Sequence, residues 1–114
     1  MEGSKRTVKI EINGKPWEIT LETSLDPSLL EWVDISNQPS LSNDVWKVGI
    51  RMSLVHPFMK QFCGSDPEKV ELLLRVAAAI VLGEVTARQS GIKYAGQIRK
   101  NVNEYLKEAL AKPY

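Results

Sequence analysis

The residues that could do chemistry in this sequence are few. The only histidine, His56, and the only cysteine, Cys63, are seven positions apart, a pairing that could supply a thiolate nucleophile and its base. Cys63 comes directly before Gly64, at the predicted end of a short helix, and free cysteines are commonly small buried hydrophobes. We therefore interpret Cys63 as a packed core residue, and we predict no catalytic residue.

A second candidate is the set of carboxylates at Asp66, Glu68 and Glu71, because paired carboxyl groups can carry out acid–base catalysis. They fall at the start of a predicted helix, where the helix dipole stabilises negative side chains, and we assign them that role. One histidine and one cysteine cannot form a credible zinc site. Dinucleotide-binding, Walker A, zinc-protease, hydrolase-elbow and EF-hand motifs are absent from the sequence. We predict a protein that is not an enzyme and holds no metal or cofactor.

Composition predicts a single globular domain over residues 1–114, since 43% of the residues are hydrophobic and 25% are charged. A lone cysteine excludes an intramolecular disulfide, which suits a reducing compartment. The sequence has no apolar leader, and no apolar run approaches the ~20 residues that a spanning helix needs. We predict a cytoplasmic protein that does not contact a membrane.

Alternation of apolar and polar residues predicts a hairpin over residues 7–22, with a two-residue turn at Asn13-Gly14. A loop of this length sets Ile10 opposite Trp17 and gathers the apolar side chains on one face. That face consists of Val8, Ile10, Ile12, Trp17, Ile19 and Leu21.

A third strand with the same alternation is predicted over residues 45–54. Between the strands, Asp26-Pro27 predicts a short helical turn. Residues 34–43 are rich in Asp, Ser, Asn, Gln and Pro and predict a loop. Residues 1–6 are small and charged and are predicted to be disordered.

One long helix is predicted over residues 65–88, with Ser65 and Glu68 forming a capping box, Pro67 in the first turn and Gly91 as the stop. The predicted fold is thus α+β: a three-stranded antiparallel sheet covered by this helix and by a C-terminal amphipathic one. Two further helices are predicted, over residues 58–63 and over residues 94–111, the latter with an apolar stripe made of Ile98, Val102, Tyr105, Leu106, Ala109 and Leu110.

The polar face of the long helix changes sides along its length. Glu71 and Arg75 form one i, i+4 pair, and Glu84 and Arg88 form another that is rotated by more than half a turn. One interpretation is that neighbouring elements cover different faces at the two ends, leaving both pairs on the surface. The alternative is that a strip on this helix meets a second chain or domain, either of another protein or of a second copy in a homodimer. That predicted interaction site consists of Ala78, Ala79, Leu82, Gly83, Glu84 and Arg88.

The C-terminal end is basic, although the whole chain carries a net charge of only +1. Residues 88–114 contain six Lys or Arg against two Glu. Basic side chains could contact phosphates and a tyrosine could stack on a base, so a nucleic-acid-binding accessory domain is an alternative function. The candidate contacts are Lys93, Tyr94, Arg99, Lys100 and Lys107.

Three stretches carry a resemblance to a known family: R-M-S-L-V-H-P-F-M at residues 51–59, E-L-L-L-R-V-A-A-A-I-V-L-G-E-V-T-A-R at residues 71–88 and I-R-K-N-V-N-E-Y-L at residues 98–106. Together they resemble the segment downstream of the nucleotide-binding domain in bacterial GHKL-type ATPases, the histidine-kinase and chaperone-like superfamily. The resemblance implies an accessory piece of a larger ATPase that helps to dimerise it or to relay its nucleotide state. The ATP-contacting motifs of that family are absent, so no ATP-contacting residue is carried over.

His56-Pro57-Phe58, Asn101 and Asn103 are the positions that match this pattern, and each also has a structural interpretation. His56 is predicted to cap a helix or to be a satisfied core group, and the asparagines to bind backbone groups at an inter-helix junction. The predicted function is therefore a non-catalytic protein-interaction or oligomerisation module. A third alternative is a small-ligand sensor with Trp17 or Trp46 lining a pocket between sheet and helices.

Overall fold

The structure, a computed structural model, describes residues 3–113. It contains a four-stranded mixed sheet and three helices, so the predicted α+β class is confirmed. Within the described residues no helix is both long enough and apolar enough to cross a membrane. The elements are β1 (Lys5–Ile12), β2 (Lys15–Ser24), β3 (Val33–Ser42), β4 (Val45–Ser53), α1 (Pro57–Phe62), α2 (Pro67–Gln89) and α3 (Gly96–Lys107).

The predicted hairpin is confirmed with its register. Ile10 lies opposite Trp17, and both turn residues, Asn13 and Gly14, have the positive φ angles of 51° and 76° that a tight hairpin turn requires. The hairpin begins earlier than predicted, because β1 starts at Lys5. The prediction of disorder over residues 1–6 is therefore wrong for residues 5 and 6, whose backbone pairs with β2, while residues 1 and 2 lie outside the described residues.

The predicted loop over residues 34–43 is wrong, because this stretch lies in strand β3, which pairs antiparallel with β4. A second two-residue turn, Asn43-Asp44, joins the two strands, again with positive φ angles of 52° and 63°. The polar composition is tolerated because β3 is an edge strand with mostly exposed side chains at its C-terminal end. The register shifts near Asn37, where Gly49 on β4 lets the chain approach: a Cβ at Gly49 would lie 2.5 Å from the Ser36 hydroxyl oxygen.

The predicted three-stranded antiparallel sheet is corrected in topology as well as in strand number. The order is β1-β2-β4-β3, and the central pair, β2 with β4, is parallel. The β3–β4 hairpin folds back so that β4 lies between β2 and β3. Asp26-Pro27 starts a turn, in which the Asp26 carboxylate accepts from Ser28 N–H, but no helical turn follows.

The long helix is confirmed as α2, and it packs on β2, β3 and β4. Its cap differs from the prediction, since the carboxylate of Asp66, not the hydroxyl of Ser65, accepts a hydrogen bond from Glu68 N–H at 3.0 Å. The predicted capping box is therefore wrong: proline at position 67 makes residue 66 the last extended residue. The core beneath α2 is built from both layers and includes Ile19, Val33, Val48, Ile50, Met52, Met59, Leu74, Ala77, Val81 and Val85.

The predicted C-terminal helix is shorter than expected. Tyr94 has a left-handed φ of 59° and cannot be helical, so α3 begins at Gly96. Within the predicted apolar stripe, Val102 and Leu106 pack on the core, whereas Ile98 and Tyr105 are exposed. One side of α3 therefore remains apolar and uncovered by the described chain.

Asn103 fastens α3 to the sheet. Its side-chain oxygen accepts from the backbone N–H of Val33 at 3.1 Å, and its amide nitrogen donates to the Val33 carbonyl at 2.9 Å. The prediction that Asn103 binds backbone groups is thus confirmed, although the partner is a strand instead of an inter-helix junction. Asn101 lies on the surface and bonds only to Gln97 among the contacts that the structure describes.

Replacing Asn103 by alanine is expected to lower the free energy of unfolding by about 3 kcal/mol, because two buried backbone groups of Val33 lose their partner. Urea denaturation measures the change. Asn101→Ala is the matched control, since it removes the same side chain from the exposed side of the same helix and should change stability by less than about 0.5 kcal/mol. Equal losses in the two variants would contradict the anchoring role.

Candidate functional site

An apolar groove runs between β1 and α2, because α2 lies over β2, β3 and β4 and leaves the inner face of β1 only partly covered. It is an open depression of about 220 Å³. Ile10 at its rim remains 36% exposed, although it belongs to the apolar face of the hairpin. The groove is lined by Val8, Ile10, Ile19, Leu21, Ala78, Ala79 and Leu82, with Arg6 and Arg75 also contributing to its wall.

A cluster of three charged residues adjoins the groove. Arg6 on β1 and Arg75 on α2 both donate to the same carboxylate oxygen of Glu71, each at 2.6 Å. These hydrogen bonds, the one from Arg6 first, lower the pKa of the Glu71 carboxyl to about 2. Because Arg6 lies on β1 and Glu71 on α2, their hydrogen bond ties the start of β1 to α2.

The outward face of α2 is apolar as well. Leu72 and Val76 are 63% and 46% exposed, and Ala79 and Gly83 continue the same line at helical spacing. A Cβ placed on Gly83 would meet nothing within 4 Å. We call these four residues the outer stripe. Its two small residues would allow another backbone to approach closely.

The residues of the predicted interaction site therefore do not form one surface. Ala78, Ala79 and Leu82 line the groove, and Gly83 lies on the outer stripe. Glu84 is not a surface residue, because its side chain is only 2% exposed and points toward α3. The interpretation that left both charged pairs on the surface is wrong for Glu84.

Glu84 belongs to a buried ionic network that the sequence did not reveal. Arg99 on α3 donates from Nε to Glu84 at 3.2 Å and from Nη1 to Glu31 at 3.1 Å. Arg88 lies 4.0 Å from the Glu84 carboxylate, on the more exposed side. Asn103 also donates to Glu31, so the network joins α2, α3 and the segment before β3. Its partners are 15 and 68 residues apart in sequence, a separation that local spacing rules do not capture.

The structure brings only part of the predicted nucleic-acid set together. Tyr94 is 87% exposed and lines a depression with Lys100 and Arg88. Arg99 lines the same depression, but its side chain is 13% exposed and is occupied by two carboxylates. Lys93 and Lys107 are exposed and lie before α3 and at its last turn, respectively. Arg99 is thus a structural residue, which weakens the expectation of a phosphate-binding face.

The two tryptophans proposed for ligand binding stack on each other, with ring centroids 5.6 Å apart and planes inclined by 21°. Trp17 is buried in the core. Trp46 lines an open depression of about 300 Å³ together with Pro39, Val85 and Arg88. Trp17 lines a separate depression of about 180 Å³ with Ile12, Thr86 and Gln89, so each of the two tryptophans borders an open depression beside α2.

His56 is confirmed as the cap of α1, since its Nδ1 accepts from Phe58 N–H at 3.2 Å. Its other ring nitrogen is buried without a hydrogen-bond partner. Burial, and secondarily the positive charge of Lys107, lower the pKa of His56. Cys63 is buried as well, and burial raises the pKa of its thiol, which disfavours the thiolate. Both residues are used structurally.

Comparisons with known proteins find no match: no family model, no curated protein and no solved structure is significantly similar to this chain. In the described residues, no group of three or more His, Cys, Asp or Glu side chains is arranged to hold a metal ion. The groove and the outer stripe are apolar surfaces that the described chain leaves partly exposed.

Replacing Arg99 by methionine is expected to lower the free energy of unfolding by about 3 kcal/mol, because the buried Glu84 carboxylate loses its main partner. Chemical denaturation measures the loss. Glu84→Met combined with Arg99→Met should recover most of it, since a hydrophobic pair of similar volume removes both charges. Lys100→Met, an exposed neighbour on α3, is the control, and an equal effect at both positions would refute the network's importance.

Stability is expected to decrease as the pH falls through the ordinary His56 pKa of 6.5. Because the pKa of His56 is lower in the folded chain, the unfolded chain binds the proton first as the pH falls. The stability gained from keeping His56 uncharged is therefore fully present above pH 6.5 and is lost as the pH falls below that value. Denaturation midpoints between about pH 5.5 and 7.5 measure the effect. His56→Asn keeps an acceptor for the helix cap without titrating, and a variant with the same pH dependence as the wild type would contradict the assignment.

Proposed function

We propose that this protein is a non-catalytic interaction module that binds another protein chain through the groove and the adjoining outer stripe. The observation that carries the proposal is the groove itself: an apolar sheet face that the chain's own helices leave open. Val8 and Ile10 form one wall, and Ala79 and Leu82 form the other. The apolar side chains that stay partly exposed along these walls are ones that a protein partner could cover.

The charged residues support the same assignment. Beside the groove, Arg6 and Arg75 both donate to the Glu71 carboxylate. At the other side of α2, Arg99 donates to the Glu84 carboxylate. The described side chains near the groove therefore offer it little polar chemistry beyond the arginines at its wall. Binding would rest on apolar burial and close packing, which suits a macromolecular surface better than a polar metabolite.

The resemblance to the segment that follows the nucleotide-binding domain of GHKL-type ATPases supports a narrower form of this proposal. In that form the module belongs to a larger ATPase and helps to assemble it. The whole outer stripe and the α2 wall of the groove fall in the resembling stretch at residues 71–88. Finding an ATPase domain in the same polypeptide or as the bound partner would support this form.

Site-specific photo-crosslinking in native cells tests the proposal. A benzophenone amino acid placed at Ala79, which is exposed beside the groove, is expected to form one discrete covalent adduct. The same group at Lys47 is the matched control, because Lys47 is exposed on the opposite face of the sheet. No adduct from Ala79, or the same adducts from both positions, would reject the groove as a contact surface.

A further inference from the structure

The two edge strands of the sheet, β1 and β3, differ in how readily they could pair with a further strand. β3 contains Pro39 and two shifts of register, features that hinder pairing with another strand. β1 pairs with β2 over eight residues without interruption, and it contains neither proline nor glycine. The edge formed by β1 is therefore regular along its length, without a proline or a register shift that would stop a further strand from pairing.

The backbone groups that β1 presents to solvent can be identified. Thr23 N–H donates to the Ser4 carbonyl at 2.9 Å, so Ser4 directs its backbone groups toward β2. In a regular antiparallel pair every second residue does the same, and the alternate residues point away. The outward-pointing N–H and C=O groups belong to Lys5, Thr7, Lys9 and Glu11.

We propose that a second copy of this chain pairs antiparallel with β1, about a two-fold axis that passes Ile10. This inference rests on the proposed function and specifies its partner. The sequence around Ile10 is complementary to itself under that rotation. Lys9 comes to lie opposite the partner's Glu11, and Val8 opposite the partner's Ile12, with each contact made twice.

Neighbouring registers fit less well. An axis at Lys9 would oppose two lysines, and an axis at Glu11 would oppose two glutamates. An axis at Val8 keeps one charge pair but sets Arg6, which is bonded to Glu71, against the apolar Ile10. Only the axis at Ile10 matches both faces of the strand: apolar with apolar beside the helices, and lysine with glutamate on the other side.

This pairing also places the grooves of the two copies side by side. A two-fold axis perpendicular to the sheet keeps both helical layers on the same side, so the grooves of the two copies join along β1. The exposed Ile10 side chains meet at the axis, where the pair is not hydrogen-bonded and side chains are closest. One eight-stranded sheet results, with an apolar floor between the two α2 helices.

A charge-swap cycle tests the register by sedimentation equilibrium at concentrations from roughly 5 to 500 μM, a range suited to a small edge interface. The wild type is expected to dimerise reversibly. Lys9→Glu should raise the dissociation constant about tenfold, because two like-charge pairs replace two attractive ones. Lys9→Glu combined with Glu11→Lys should restore the dimer, because the opposite charges are merely exchanged.

Lys47→Glu is the matched control for Lys9→Glu. Both lysines lie beside Glu18, at cross-strand positions on β1 and β4, but only Lys9 is on the free edge. Lys47→Glu should therefore leave the dissociation constant within about twofold. Thermal unfolding at the lowest concentration verifies that each variant is folded. A wild type that stays monomeric, or a double variant that fails to recover, would overturn the proposed pairing.

Disulfide trapping locates the axis independently. Ile10→Cys should form an intermolecular disulfide on mild oxidation, because only the residue at the axis meets its own copy at disulfide distance. Val8→Cys should not, and the wild type, whose Cys63 is buried, provides the background. Trapping at Val8 instead would refute this register. If the chain is monomeric but the Ala79 crosslink captures a different protein, the second copy is rejected and the interaction module stands.

Discussion

Parallel pairing of β2 with β4 is the constraint on which the rest of the molecule depends. β2 and β3 are consecutive in the chain, yet β4 lies between them in the sheet. The β3–β4 hairpin is therefore turned so that β4, and not β3, pairs with β2. β4 then becomes the most buried strand, with Ile50 and Met52 fully inaccessible. The same insertion leaves β1 and β3 as edges and centres the core on β2 and β4, which is where α2 must lie.

The position of α2 explains both the stability of the fold and its exposed apolar surface. The helix is apolar around most of its circumference, but one chain of this size covers only part of that surface. On one side, α3 covers it through the Glu84–Arg99 pair and through Asn103, polar anchors that fix where α3 docks. On the other side the described chain covers it only in part, and the groove remains open above β1.

The chemistry of the molecule is consistent with a binding surface. Four of the side chains considered for catalysis have structural roles: His56 caps α1, Cys63 is packed, Asp66 caps α2, and Glu71 accepts hydrogen bonds from Arg6 and Arg75. The groove and the outer stripe are apolar, and the sheet edge beside the groove is the regular strand β1. A partner that adds a strand at this edge would satisfy backbone groups and cover apolar side chains at the same time.

The sequence by itself determined the local features. The Asn13-Gly14 turn fixed the register of the first hairpin, and Pro67 marked the start of the long helix, because both signals act within a few residues. The identity of the capping residue, Asp66 and not Ser65, came from the structure. The sequence pattern did not predict strand β3. An edge strand needs little alternation of apolar and polar residues when a neighbouring strand supplies its hydrogen bonds. Only the tertiary structure decided the parallel central pair, the burial of Glu84 and the open groove. These three features depend on which segments, distant in sequence, pack against one another. No local pattern in the sequence determines those contacts.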